Sequence, residues 1–149
     1  MQHFHTAGGC LFCKIAREEV PSHAVHASSS VYAFLDIHPI RTGHVQIIPR
    51  DHHRYFDDPP PELAAEIMHL GQRLAVGMKQ LFQVQRVAFL FTGGDIPHAH
   101  AHVVPMVSPT DVTSLRYIEG ENIRFRNTPR MQDEELAAVA NALRTATAS

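Results

Sequence analysis

Three histidines separated by single small residues, His98-Ala99-His100-Ala101-His102, are the densest group of reactive side chains in the sequence. Residues two apart in an extended strand point to one face. The spacing therefore predicts three imidazoles in a row along a strand that continues through Val103, Val104 and Pro105. Ala99, Ala101 and Val103 would lie on its reverse, where the alanines let another element pack closely. A helix would scatter the rings, because each step of two residues turns through about 200°. A single histidine on such a face reads as a satisfied core residue. Three do not, since each buried imidazole needs a partner at both nitrogens. The chemistries that remain are a metal site, a general acid/base site, a histidine nucleophile, or a combination.

The second reactive group is Cys10-x-x-Cys13, which contains both cysteines of the chain. In a reducing compartment such a pair is a metal knuckle or a redox couple before it is a structural disulfide. Twelve histidines in 149 residues set this composition apart. In other respects it is that of one ordinary globular domain, long enough to bury roughly 70% of its unfolded surface. A net charge of −2 gives no electrostatic case for a nucleic-acid polymer or a membrane surface as partner. No apolar run approaches the ~18 residues of a membrane span. The N-terminus lacks a basic-then-apolar signal. The expected location is cytoplasmic.

The elements that must position these groups follow from pattern and punctuation. Residues 1–9 read as a loose leader, and Cys10–Arg17 as a short helix that ends before Pro21. Val25–Ala27 and Val31–Leu35 are strand-like. Asp36-Ile37-His38-Pro39 is a turn by its Asp and Pro. His44–Ile48 is a further strand, ended by Pro49, and the loop of about eight residues before it suggests an antiparallel pair. Asp57 or Asp58 is placed to cap a long helix whose first turn holds prolines 59–61. Leu63, Ile67, Leu70, Leu74, Met78 and Leu81 form its apolar stripe. Gly71 and Gly77 mark where this helix would pack closely on a sheet. Val87–Thr92 reads as another strand, joined through Gly93-Gly94-Asp95 to the histidine strand as a hairpin. Residues 107–149 form a C-terminal extension whose first part is irregular, with one strand signal at Thr113–Ile118. Its second part is an amphipathic helix over about 133–145. The whole reads as a single domain.

These blocks together carry a family resemblance. HAHAHVVP resembles the histidine triad (HIT) signature, His-φ-His-φ-His-φ-φ with φ apolar. CLFCKIAREEVP resembles the family's opening knuckle and helix, and FLDIHPIRTGHVQIIPRDH its first hairpin. The blocks run in the right order from about residue 10 to 106. The resemblance implies an α+β, HIT-like fold: an antiparallel sheet of about five strands with one long helix packed on it and a C-terminal helix. It also implies nucleotidyl hydrolysis or transfer at the α-phosphorus of nucleoside 5′-phosphate derivatives, with His100 as nucleophile. His102 and His44 would flank the phosphoryl oxygens, and His98 completes the catalytic set. Asp36 stands at the position that binds the ribose hydroxyls. Phe12, Ile15, Phe34 and Ile37 stand at the apolar slot for the base, although plain core packing would also account for them. Cys10, Cys13, His52 and His98 match the ligands of a structural zinc found in one branch of the family. Homodimerisation through the long helix and the edge strand is a further implication.

Departures from the family pattern lie just before the triad. Gly93-Gly94-Asp95 replaces the usual Gly-Gln-Ser/Thr, so a carboxylate stands where a neutral donor to the phosphate is expected. Thr92 stands where Asn is common. Thr92 and Asp95 remain candidate nucleotide contacts. The changes keep open a second reading, a nucleotide- or zinc-binding module on the same fold with little catalysis.

Overall fold

The computed structural model describes residues 9–93, 96–112 and 126–148. A short helix, α1 (Leu11–Ala16), leads into an antiparallel meander of β1 (Ala24–Ala27), β2 (Val31–Leu35) and β3 (Val45–Pro49). Every residue of β2 and β3 is buried. The pleat shares these residues between two cores. Val31, Ala33, Leu35, Val45 and Ile47 face one side, and Tyr32, Phe34 and Ile48 the other. A strand apolar on both faces must be covered on both.

The long helix α2 (Pro61–Phe82) follows, then β4 (Arg86–Phe91) and β5 (Ala101–Met106). The described residues form a five-stranded sheet in the order β1-β2-β3-β5-β4, with every neighbouring pair antiparallel. The last helix, α3 (Asp133–Thr147), carries Asp133, Glu134 and Glu135 in its first turn, where carboxylates favour the positive end of the helix dipole. Ile67, Leu70, Leu74 and Met78 of α2 and Leu136, Ala140 and Leu143 of α3 cover one sheet face. Helix α1 covers part of the other with Phe12, Cys13, Ile15 and Ala16. The α+β architecture expected from the sequence is the one found. Among the described residues no helix is long and apolar enough to cross a membrane.

Several local expectations are corrected. The histidine strand starts at Ala101, so His98 and His100 precede the ladder and only His102 lies within it. Helix α2 is capped by neither aspartate: its N-cap is Pro60, without a side-chain bond. Asp58 instead accepts the Arg54 N–H at 2.8 Å and closes the turn before the helix. Leu81 leaves the stripe and is exposed, while the next residue, Phe82, packs against the core. A Cβ on Gly71 would lie 2.5 Å from the Phe89 ring, so this glycine does admit the sheet. Gly77 serves a different neighbour, Ala146 of α3. The strand signal at Thr113–Ile118 and residues 1–8 of the leader lie outside the described residues.

Candidate functional site

Strand parity builds the site on the α1 face. Gln46 of β3 pairs with His102 of β5 and with Phe34 of β2, so all three side chains share that face. His44 lies one pleat before Gln46, and Asp36 lies beside it through the Asp36 N–H to His44 carbonyl bond at 2.9 Å. The backbone N–H of Ile40 donates to His44 Nδ1 at 3.2 Å. A neutral His44 must therefore carry its proton on Nε2, which donates to His102 Nδ1 at 2.9 Å. His102 in turn carries its proton on Nε2. The loop amide thus sets the tautomers of two histidines in succession. In this arrangement the one N–H of His44 is engaged by His102.

Burial pushes the His102 imidazole down to about 4, and the neighbouring His44 and His100 rings push the same way. Burial also lowers His44, against the opposing pull of the Asp36 carboxylate 3.8 Å away. Both rings are held neutral at pH 7. Joint ligation of a metal by Asp36, His44 and His102 is disfavoured, since the two rings turn their facing nitrogens toward each other.

His100 is oriented from the other direction. Its Nδ1–H donates to the carbonyl of His98 at 2.6 Å, and among the described residues Nε2 has no hydrogen-bond partner. The His98 carbonyl is available because that residue lies outside the strand ladder. The ring of His100 is buried and sits edge-on to Phe12, with centroids 5.1 Å apart, and edge-on to His102 at 5.0 Å. A neutral imidazole with one nitrogen held and the other free is equipped for nucleophilic attack.

The side chain of His98 is fully occupied elsewhere. Its Nε2–H donates to the Pro49 carbonyl at 2.9 Å, so Nδ1 offers its lone pair to Cys10 Sγ and Cys13 Sγ, each 3.4 Å away. His52 Nδ1 lies 3.2 Å from Cys13 Sγ. The four ligand atoms all lie within 4.8 Å of one another. Zinc–sulfur and zinc–nitrogen bonds of ~2.3 and ~2.0 Å in a tetrahedron imply an S···N edge of about 3.5 Å. The observed separations fit that edge, and the fourfold N/S donor set suits zinc. Burial, with the Cys10 thiol beside it, pushes the Cys13 thiol up to about 11. Two buried thiols beside two imidazoles gain most from a cation that draws off the thiol protons.

Helix α1 carries Phe12 and Ile15 to an apolar slot completed by Phe34 and Ile37, with Asp36 and Gln46 at its polar end. Its volume of about 190 Å³ is below that of a whole drug-sized ligand's pocket and suits one ring system. The four slot residues expected from the sequence are thus brought together beside Asp36. Asp36 Oδ1 accepts the His38 backbone N–H at 2.8 Å, and Oδ2 accepts Gln46 Nε2–H at 2.7 Å. Sequence reasoning missed Gln46. Its signal was the position between His44 and Ile48, where parity turns a polar side chain inward.

On the other side of His100 a second cleft, about 370 Å³, is walled by Tyr55, Phe56, Phe91, Thr92 and Gly93. Thr92 lies there, exposed, away from the base slot. Gly94 and the candidate contact Asp95 lie outside the described residues. Two arginine contacts, also missed, fix the frame. Arg50 donates to the carbonyls of Ala16 and Ser28, tying the end of α1 to the β1–β2 turn. Arg41 binds Asp111 in a fork of 2.8 and 2.7 Å, joining the loop that precedes His44 to the segment after β5.

A sheet with a histidine relay, a free-nitrogen imidazole and an apolar slot on one face defines a class, and the sequence matches the HIT domain family over residues 17–108. The chain belongs to that family. It is 36% identical over 97 residues to the adenosine 5′-monophosphoramidase of Saccharomyces cerevisiae, an alignment that covers 64% of this chain and 61% of the yeast protein. An uncharacterized HIT-like protein of Mycobacterium tuberculosis is 28% identical over 144 residues, 93% of each chain. The crystal structure of a zinc-bound histidine triad family protein from Mycobacterium smegmatis superposes with a TM-score of 0.74 at 25% identity, covering 96% of each chain.

Proposed function

We propose that this protein is a nucleotidyl hydrolase or transferase that forms a covalent intermediate on His100. The observation that carries the reading is the hydrogen bond from His100 Nδ1 to the His98 carbonyl, which leaves Nε2 as a free nucleophile beside the His44–His102 pair. In the first step the Nε2 lone pair attacks the α-phosphorus of a nucleoside 5′-phosphate derivative. A P–N bond to His100 forms, and the P–O or P–N bond to the leaving group breaks. The leaving group departs with its electron pair and takes up a proton from solvent. Positive charge on the His100 ring is shared with the His98 carbonyl, and His102 Nε2–H donates to a phosphoryl oxygen. Water, or an acceptor alcohol or amine, then attacks phosphorus and gives up a proton to solvent, the P–N bond breaks and His100 regains its lone pair.

The base lies in the slot of Phe12, Ile15, Phe34 and Ile37, Asp36 binds the ribose, and the leaving group exits into the cleft of Tyr55, Phe56 and Thr92. The activity of the yeast relative, cleavage of an adenosine monophosphoramidate by its name, supports an adenylylated amine as substrate. We further propose that Cys10, Cys13, His52 and His98 hold a structural zinc. Four protein ligands leave it no open position for substrate. The 149 residues act as one domain, paired into a homodimer through α2 and the edge strand β4. Thr92 and Asp95 are proposed as nucleotide contacts.

Intact mass measurement after brief mixing with nucleoside 5′-phosphoramidates and dinucleoside polyphosphates tests the reading. One nucleotidyl group should be found on the wild type and none on His100→Ala. A wild type that binds nucleotides, never acquires the adduct and turns nothing over would leave only the binding module.

A further inference from the structure

Gln46 is the polar residue in an otherwise apolar strand, and its amide is fixed from one end. Nε2–H donates to Asp36 Oδ2 at 2.7 Å; turned over, the amide would set its oxygen against the carboxylate. Oε1 must therefore face away from Asp36. Among the described residues it meets no hydrogen-bond donor, although the side chain is only 8% exposed and lines the polar end of the slot. A buried carbonyl oxygen without a partner is destabilising. A leucine here would fold at no such cost, so the glutamine answers to something that enters the slot.

We propose that Gln46 is a specificity-determining residue that makes the site read a ribose diol. This rests on the nucleotidyl reading above. Asp36 Oδ1 and Oδ2 each commit one lone-pair direction, to the His38 amide and to Gln46 respectively. The carboxylate, locked in place, keeps one lone-pair direction on each oxygen, and Gln46 Oε1 adds a further acceptor beside them, so that Asp36 takes one ribose hydroxyl and Gln46 the other. Two O–H donors on adjacent carbons thus meet two acceptors bridged by the Asp36–Gln46 hydrogen bond. A nucleotide lacking either hydroxyl leaves one buried acceptor unpaired, and such gaps discriminate more strongly than lost apolar contact. Gln46 is a positioning residue toward Asp36 and a direct contact toward the sugar.

The test compares wild type with Gln46→Leu and Gln46→Met on adenosine 5′-phosphoramidate and its 2′-deoxy, 3′-deoxy and 2′,3′-dideoxy forms. A purine riboside counterpart keeps the diol and removes the exocyclic amine. AMP and 2′,3′-dideoxy-AMP are titrated by calorimetry so that affinity is read without turnover. The wild type should favour the diol. Either variant should raise KM for the ribonucleotide roughly tenfold, the worth of one hydrogen bond. The change should fall in KM much more than in kcat, and the dideoxy form should be unaffected, so the preference collapses. An unaltered ribo-to-dideoxy ratio overturns the proposal. So does a loss that follows the exocyclic amine, and so does failure of both variants to fold, which would make the glutamine structural. Diol-dependent AMP binding without turnover upholds Gln46 and removes the covalent mechanism alone. Absence of AMP binding by the wild type removes both.

Discussion

His98 accepts the Nδ1–H of His100 on its backbone carbonyl, at 2.6 Å, while its own ring points into the cysteine cluster. One residue thus belongs to two sites: through its ring to the sulfur ligands, through its main chain to the free imidazole. Neighbours of identical chemistry should therefore respond differently to the same substitution. His100→Ala should abolish turnover and leave nucleotide affinity largely intact, because the P–N bond exists only along the reaction path. His102→Ala should slow the rate on the order of 10²-fold, as for one lost transition-state donor. His98→Ala should lose stability first. Steady-state kinetics, calorimetric binding and thermal melting on the three variants separate these outcomes, and retained turnover in His100→Ala would remove the covalent mechanism.

The relay makes a prediction about protons. Burial holds His102 down to about 4, against an ordinary 6.5, so the folded ring should stay neutral as pH falls from 7 to 5. Ring-nitrogen NMR should find the proton on Nε2 throughout that range. The unfolded chain takes up its proton near 6.5, so this group's contribution to stability is complete above 6.5 and declines as pH falls from there to about 4. A His102 resonance that titrates near 6.5 would contradict the assignment.

The cluster predicts metal content. Protein purified without added metal should carry close to one zinc per chain, with Cys10 and Cys13 unreactive toward thiol reagents until a chelator is added. Cys13→Ser should lose zinc and melt at a lower temperature, because metal binding contributes directly to folding free energy. Negligible zinc with freely titrating thiols would refute the site.

Asp111 supplies the acid-side prediction. Its side chain is fully shielded, and the Arg41 guanidinium holds its carboxyl down to about 2 from the usual 3.8. The Ser108 and Val107 amides add to that effect. A lowered carboxyl stabilises the fold fully above the unfolded value, so this contribution should fade as pH drops from 3.8 toward 2. Asp111→Asn should cost roughly 1–2 kcal/mol at pH 7. It should also flatten the acid limb of a denaturation series measured across that window. An acid limb as steep as the wild type's would show that the fork is immaterial.

How far the sequence could be read depended on the range of each interaction. β2 and β3 were legible because Val31–Leu35 and His44–Ile48 are apolar runs stopped by Asp36, Gly43 and Pro49. The stripe from Ile67 to Met78 identified α2. The ends of elements were not legible, since tertiary partners decide them: Asp58 turned to Arg54, and Phe82 displaced Leu81. The expected uniform histidine strand failed for a related reason, because the ladder with β3 begins only opposite Ile47, at Ala101. The resemblance named the histidines, the cysteines and the slot residues, and local parity makes sense of their shared face. Gln46 carried a signal in its parity with His44 and Ile48, whereas the Arg41–Asp111 fork escaped because no local pattern links its two partners. Asp111 lies 70 residues from Arg41.

Helix α1 has a consequence for how small the molecule can be made. The match to the HIT domain begins at residue 17, yet Cys13, Phe12 and Ile15 all precede it. A chain trimmed to that boundary would keep His44, His98, His100 and His102 and every strand of the sheet. It would lose two of four sulfur–nitrogen ligands and one whole wall of the slot in a single cut. Conversely, a six-residue helix transplanted with its cysteines would bring ligand and wall together, as one cassette. The histidines can be inherited without the helix, but the closed slot beside Asp36 cannot.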